Sequence, residues 1–312
     1  MGEISSFGDS VKIIREPEVT VRSYARGAQV QAQDLDDGDF TMVVDQANYF
    51  AFKQDDIEAA HSHVNWMAMA TDRAGYRLKD QFDAEVLGYL SGYRQSAIGD
   101  PANAVNTTVN GTRAVPTAGT DELLTSMKLI KGSFANITTA SAGDHSIPVT
   151  PRFPGATTFP TDRTSPLQII ARMGRLLDSQ NVDTDGRWLV LDPIFIEMLK
   201  DEDSRLLNAD FGGSGLQNGL VLNNLHGFRI YASNNLPRVG TGPGTAGVAN
   251  QNANFGVIVA GHDCAVASAE QINKTETYRD PESFADICRG MHLYARKILR
   301  PEALVTCKYN VA

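Results

Sequence analysis

Between Gln46 and about Ser96 the apolar positions change period. QANYFAF alternates as a strand does and breaks at Asp55-Asp56, and about forty residues then pass without a proline. Within them Ile57, Val64, Ala68, Gly75, Leu78, Phe82, Val86 and Leu90 recur at helical intervals and mark one face. A single helix from Asp55 to Ser96 would span roughly 60 Å at about 1.5 Å per residue. That is about three times the usual globular helix. An extended arm feeding so long a helix suits a beam better than a catalytic scaffold.

Residues 11–54 read as extended. VKIIRE and EVTVRSY alternate around Pro17, a polar tip runs from Gln29 to Gly38, and FTMVVD resumes the alternation. The pattern predicts a long β-hairpin with an acidic tip carrying Asp34, Asp36, Asp37 and Asp39. One side is too polar to bury both faces. Because a two-stranded hairpin is only marginally stable alone, it is expected to rest on something else, such as another chain.

Beyond Ala97 the composition turns to Thr, Ser, Asn, Gly and Pro, with TDELLTSMKLIKG as the one expected helical island, ended by Gly132. Regular alternation resumes at Thr164. Ser165-Pro166-Leu167-Gln168 has capping-box spacing with proline at the first helical position, and Ile170, Met173 and Leu177 carry the apolar face. GRWLVL reads as a buried strand, Asp192-Pro193 caps a short helix over IFIEMLK, and two strands turn about His226-Gly227. NFGVIVAG adds another strand, making residues 165–262 one compact α/β unit. The remainder, 263–312, reads as two long strands kinked at Pro281. With the long helix they form a second, elongated unit.

The net charge of −9 lacks the basic stripe of a dedicated nucleic-acid binder. No apolar run approaches the ~20 residues of a membrane span. MGEISSFGDS has neither the basic start nor the apolar core of a signal peptide, so synthesis in the cytoplasm without Sec-type export is expected. Cys264, Cys288 and Cys307 form no CxxC pair and are expected to be reduced, small buried hydrophobes.

Candidate chemistry fails motif by motif. Gly242-Pro243-Gly244-Thr245-Ala246-Gly247 fits GxGxxG but is followed by loop and strand, where a dinucleotide site needs a helix. His61 and His63 alternate on a helix and point apart. Ser214 in GGSGL lacks nucleophile-elbow spacing. Cys264 beside His262 and Asp263 would face alternate sides of a strand and not converge. Asn106-Thr107-Thr108 is an idle acceptor without secretion. No catalytic, cofactor or metal site is therefore expected.

The order of pieces, QANYFAFKQDDIEAAHS with its long helix, GRWLVLDPIFIEMLK, GFRIYASNNLP and ETYRDPESFADICRGMHLYARKILRPEALV, resembles the major capsid proteins of tailed bacteriophages. The likeness covers roughly 8–60, 165–237 and 255–305, and its most specific part is RDPESFAD…RGMHLYARKILRPEAL. It implies an α+β protein of Hong Kong 97-type fold. Residues 1–28 would be the N-terminal arm and 29–54 an extended β-hairpin loop lying over a neighbouring subunit. Residues 55–164 would be a peripheral domain with a spine helix and polar loops, 165–262 a compact axial domain, and 263–312 return strands to the peripheral domain. Family members carry more sequence before the arm than Met1–Asp9 provides, which fits an arm that is short, truncated or cleaved. Some members cross-link lysine to asparagine between subunits with a nearby acid; Lys53 lies near the hairpin base, but no partners are assigned to it.

The resemblance further implies a shell subunit, forming hexamers and pentamers around double-stranded DNA in the virion. Portal, scaffolding and decoration proteins would be its other partners. The inter-subunit contact candidates are the tip acids Asp34, Asp36, Asp37 and Asp39 and the basic residues Arg279, Arg289, Arg296, Lys297 and Arg300 of the C-terminal strands. Two alternatives stand beside it: an encapsulin-type shell around cargo enzymes, and a cytoplasmic enzyme with its site in residues 165–262.

Overall fold

The computed structural model describes residues 2–3, 10–14, 19, 21–24, 26–27, 29, 32–33, 39–44, 46–62, 64–91, 123–129, 133–134, 137, 147–150, 163–200, 224–236 and 255–311. In chain order the elements are β1 (Gly2–Glu3), β2 (Ser10–Ile14), β3 (Asp39–Val43), β4 (Gln46–Asp55), α1 (Asp56–His61), α2 (Trp66–Ser91), β5 (Lys128–Leu129), β6 (Ile147–Val149), α3 (Pro166–Ser179), β7 (Arg187–Leu191), α4 (Pro193–Leu199), β8 (Asn224–Leu225), β9 (Phe228–Ala232), β10 (Phe255–His262), β11 (Val266–Arg279), β12 (Ala285–Ile298) and β13 (Leu304–Val311). Helix and sheet are mixed, as expected. The chain divides into two compact units, Met1–Leu78 with Ala267–Lys297, and Lys79–Val266 with Ile298–Ala312.

The first unit is built on a four-stranded sheet of order β1-β11-β12-β4. β4 runs antiparallel to β12, from Asp55 opposite Ala285 to Gln46 opposite Tyr294. Gln46, Asn48, Phe50 and Phe52 are half-buried on one face of β4, while Ala47, Tyr49, Ala51 and Lys53 are exposed on the other. Gly290 is required beneath Phe50, since a Cβ there would lie 2.4 Å from the ring's Cε1. β2 and β3 form a separate antiparallel pair, Ser10 opposite Val43 and Ile14 opposite Asp39. The arms of the expected hairpin are therefore VKII and DFTMV. Val19 and Val21 of EVTVRSY lie outside any strand and are exposed.

The expected single helix from Asp55 to Ser96 is corrected by the structure. It is two helices, the six-residue α1 and the 26-residue α2, the latter about 39 Å long at ~1.5 Å per residue. Ser62 has extended backbone (φ −89°, ψ 137°), and its hydroxyl accepts from the Val64 amide at 3.1 Å. Asn65 then caps the new helix by accepting from the Ala68 amide at 3.2 Å. Ser and Asn side chains that bond nearby backbone compete with helical hydrogen bonds. The apolar periodicity runs on across the break and conceals it.

The second unit carries a sheet of order β5-β13-β10-β7-β9-β8, with β6 also on β13. β10 is antiparallel to both β13 and β7, and β7 is parallel to β9. The Ser165 hydroxyl accepts from the Gln168 amide at 3.3 Å and starts α3. Asp192 accepts from the Phe195 amide at 3.0 Å and starts α4, and proline opens both helices. The β8–β9 turn has His226 and Gly227 at φ 52° and 82°, the pair of positive angles of a two-residue hairpin. Ile169, Ile170, Met173, Leu177, Leu189, Leu191, Phe195, Phe228, Ile258, Val305 and Tyr309 are all at or below 1% exposed and form the main core.

Two further expectations are corrected here. The helical island in TDELLTSMKLIKG is a 3₁₀ turn at Thr125–Met127 leading into strand β5. The region 263–312 holds three long strands, because Pro301 opens a second turn, Pro301–Ala303, between β12 and β13. β13 lies inside the sheet of the second unit between β10 and β5.

Candidate assembly surface

The four-stranded sheet leaves apolar side chains exposed on its outer face. Tyr49 is 80% exposed on β4, with Met291 opposite it on β12 and Tyr278 on β11, each 41% exposed. Phe284, in the β11–β12 turn, is 80% exposed, and Ile57, Trp66, Met69 and Tyr76 on α1 and α2 are more than half exposed. Single exposed apolar residues are ordinary, but Tyr49 and Met291 lie side by side across β4 and β12 and form one patch.

Charged residues rim this face in networks. Arg279 binds Asp56 in a two-pronged contact and reaches Asp286 at 3.3 Å. The guanidinium holds the Asp56 carboxyl below its usual range. Arg289 lies 3.1 Å from Glu276, which Lys274 also contacts, and 4.9 Å from the centre of the Tyr278 ring. Lys274 and Arg289 together lower the Glu276 carboxyl. Lys53 Nζ donates to Asp280 at 2.7 Å, and Asp280 also accepts from the Ser283 hydroxyl and the Glu282 amide. These donors, Lys53 first, hold the Asp280 carboxyl well below the usual carboxylate range.

Arg279 and Arg289, expected to meet a neighbour's acids, thus already hold acids of their own chain. The Arg296 guanidinium lies 5.9 Å from the centre of the Tyr294 ring, and Lys297 donates to the Thr41 carbonyl at 2.7 Å. The Arg300 amide donates to Ala265 O at 3.3 Å just before Pro301. Asp34, Asp36 and Asp37 lie outside the described residues. Asp39 is described by its backbone alone, which pairs with Ile14. Sequence reasoning missed Asp56, Asp280 and Glu276 as partners; Asp280 lies 227 residues from Lys53, and no local pattern links them.

The rejected motifs fare unevenly. Gly242–Gly247, Ser214, Asn106 and His63 lie outside the described residues, and His61 ends α1. Among the described residues no three His, Cys, Asp or Glu side chains are placed to share a metal. His262, Asp263 and Cys264 do not converge as a trio, as expected, but His262 and Cys264 do meet. β10 stops at His262 and a 3₁₀ turn over Asp263–Ala265 brings the Cys264 Sγ to 3.0 Å from His262 Nδ1. Asp263 turns the other way, to Arg229 at 2.8 Å.

Neither family models nor curated proteins match the sequence. Solved structures do match its fold. The chain is similar to one from Mycobacterium phage Che8 (TM-score 0.62, 23% identity, 96% of this chain and 84% of that one). It is also similar to one from the capsid of Cyanophage P-SCSP1u (0.65, 17%, 98% and 85%) and one from the mature capsid of bacteriophage PhiM1 (0.61, 18%, 98% and 84%). The fold is that of phage capsid chains.

Proposed function

We propose that this chain is the major capsid protein of a tailed phage, the repeating subunit of an icosahedral head shell with a Hong Kong 97-type fold. Coverage of 98% of this chain and 84–85% of the phage capsid chains supports the reading. In it, α2 is the spine helix of a peripheral domain and the β7-β10-β13 sheet the core of an axial domain. The loop between β2 and β3 is the hairpin that reaches a neighbouring subunit. The location is the virion, and the role is geometric, with no catalytic step.

Subunits form hexamers and pentamers, and many interfaces of about 1,000 Å² or more each sum to a stable shell. The open apolar face of the four-stranded sheet gives such contacts a surface. The tip acids Asp34, Asp36, Asp37 and Asp39 would join the networks already centred on Arg279 and Arg289 in the next subunit, with Arg296, Lys297 and Arg300 beside them. The negative net charge suits a container that must not adsorb incoming double-stranded DNA. Portal, scaffolding and decoration proteins complete the assembly.

Negative-stain electron microscopy of the purified protein tests this directly. Closed isometric particles are expected from the wild type. The triple change Asp34→Lys, Asp36→Lys, Asp37→Lys should leave circular dichroism unchanged and impair closure. A wild-type protein that stays monomeric under all assembly conditions would sink the shell reading. Particles that enclose protein and no DNA when isolated from a host would favour the encapsulin alternative.

A further inference from the structure

The three cysteines are not equivalent. Cys288 and Cys307 are buried, and burial pushes the Cys307 thiol far up. Cys264 is only partly covered. Its Sγ lies 3.0 Å from His262 Nδ1, and its own amide donates to the same nitrogen at 3.2 Å.

The other imidazole nitrogen fixes which proton is where. His262 Nε2 lies 2.7 Å from the Asp185 carbonyl oxygen, which can only accept. Nε2 therefore carries the hydrogen, and Nδ1 presents a lone pair to Cys264. The loop that supplies this carbonyl is tightly held. Arg187, 4% exposed, donates to the Asp183 carbonyl at 2.7 Å and the Val182 carbonyl at 2.6 Å, and pairs with Asp178 at 2.8 Å. Gly186 sits at φ 85°, and a Cβ there would lie 3.1 Å from His262 Nε2. A nucleophile, a base within hydrogen-bond reach and a third group orienting the base make the arrangement of an activated thiol.

We propose that Cys264 and His262 form a thiol-exchange site, which takes up small disulfides of the glutathione type as a covalent adduct. Cys264 Sγ attacks one sulfur of the disulfide while its proton passes to His262 Nδ1. The S–S bond of the small disulfide breaks, a Cys264–glutathione S–S bond forms, and the departing glutathione sulfur takes the proton from His262. The disulfide itself is the oxidant, so no other co-reactant enters. Asp185 acts as a positioning residue through its main-chain carbonyl. Because Cys288 and Cys307 are buried, the adduct is confined to one position per chain.

The test is reaction of the folded full-length chain with glutathione disulfide, read by intact-mass and peptide-mass measurement between pH 6 and 9.5. One adduct on Cys264 is expected. Its rate should rise by much less than tenfold per pH unit between pH 6 and 8, because the neighbouring imidazole takes the proton. His262→Asn keeps an acceptor for the Cys264 amide but removes the base, and should slow the adduct about tenfold at pH 7. The two rates should approach each other as the pH is raised, because solvent base then takes the imidazole's place. Equal rates at pH 7 overturn the proposal, as does equal labelling of Cys288 or Cys307 in the folded chain. If the variant does not fold, the wild-type profile decides. A rate climbing tenfold per pH unit from 6 to 8, as an unassisted thiol's does, overturns the proposal without the variant.

Discussion

The two larger sheets among the described residues use the same strand chemistry to opposite ends. In the second unit, β10 and β13 sit inside the sheet and read as nearly continuous buried runs, Val257–Ala260 and Leu304–Cys307. Leucine, isoleucine and phenylalanine from α3 and α4 join them in one core. In the first unit, β4 alternates half-buried and exposed along most of its length, and among the described residues its apolar cluster is small, Met42, Val44, Ala269 and Ala295 with a few partly buried neighbours. One sheet has spent its apolar surface on its own fold. The other has kept Tyr49, Phe284 and Met291 in reach of another molecule. A chain can thus close its core at one place and leave apolar side chains open at another.

The largest expected effect lies in the finished core. Phe195 is fully buried and meets the Tyr309 ring edge-on at 5.1 Å between centroids. Phe195→Ala should destabilise the second unit by about 3–5 kcal/mol, measured by chemical denaturation. A loss below about 1 kcal/mol would mean that the core is looser than its burial implies.

Next comes α2. Ala74→Pro should remove a helical hydrogen bond and clash with the preceding turn, costing ~3 kcal/mol or more. Normal soluble yield and an unchanged unfolding midpoint would show that the helix does not run through Ala74.

Phe284→Ser and Tyr49→Ser sharpen the contrast, because both side chains are 80% exposed. The isolated chain should change by no more than about 0.5 kcal/mol, while particle yield falls when the shell is assembled. Strong destabilisation of the unassembled chain would erase the distinction between the two sheets.

The smallest effect is electrostatic. The Asp280 carboxyl is depressed by Lys53, so the pair contributes stability above the unfolded carboxylate value of about 3.9 and loses it as pH falls toward the depressed value. Lys53→Met should therefore melt slightly below the wild type at pH 6, with the difference shrinking as the pH is lowered through the acid range toward the depressed value. A difference that persists unchanged into acid would assign the effect to packing.

The readable parts of the sequence were those where local chemistry decides. Ser165-Pro166 and Asp192-Pro193 mark helix starts because the cap and the proline act within one turn, and His226-Gly227 marks a hairpin for the same reason. Periodicity failed at Ser62–Asn65, where side chains bonded to backbone interrupt a helix whose apolar spacing never falters. It failed again at His262–Cys264, where a turn of three residues replaces the strand assumed there. The charged rim was legible as a set of basic residues but not as pairs, since Asp56 and Arg279 are 223 residues apart.

Sequence distance also sets a clock. Lys53 meets Asp280 across 227 residues, which a ribosome adds in roughly 10–45 s at about 5–20 residues per second. Throughout that interval β4 has emerged without β12, the strand it pairs with over ten residues. An unpaired strand bearing Tyr49, Phe50 and Phe52 is a template for wrong pairing with other nascent copies. On a polysome making many copies at once, the danger is greatest before any subunit is complete. Production of this protein should therefore depend more on chaperone capacity and growth temperature than on the stability of the finished fold.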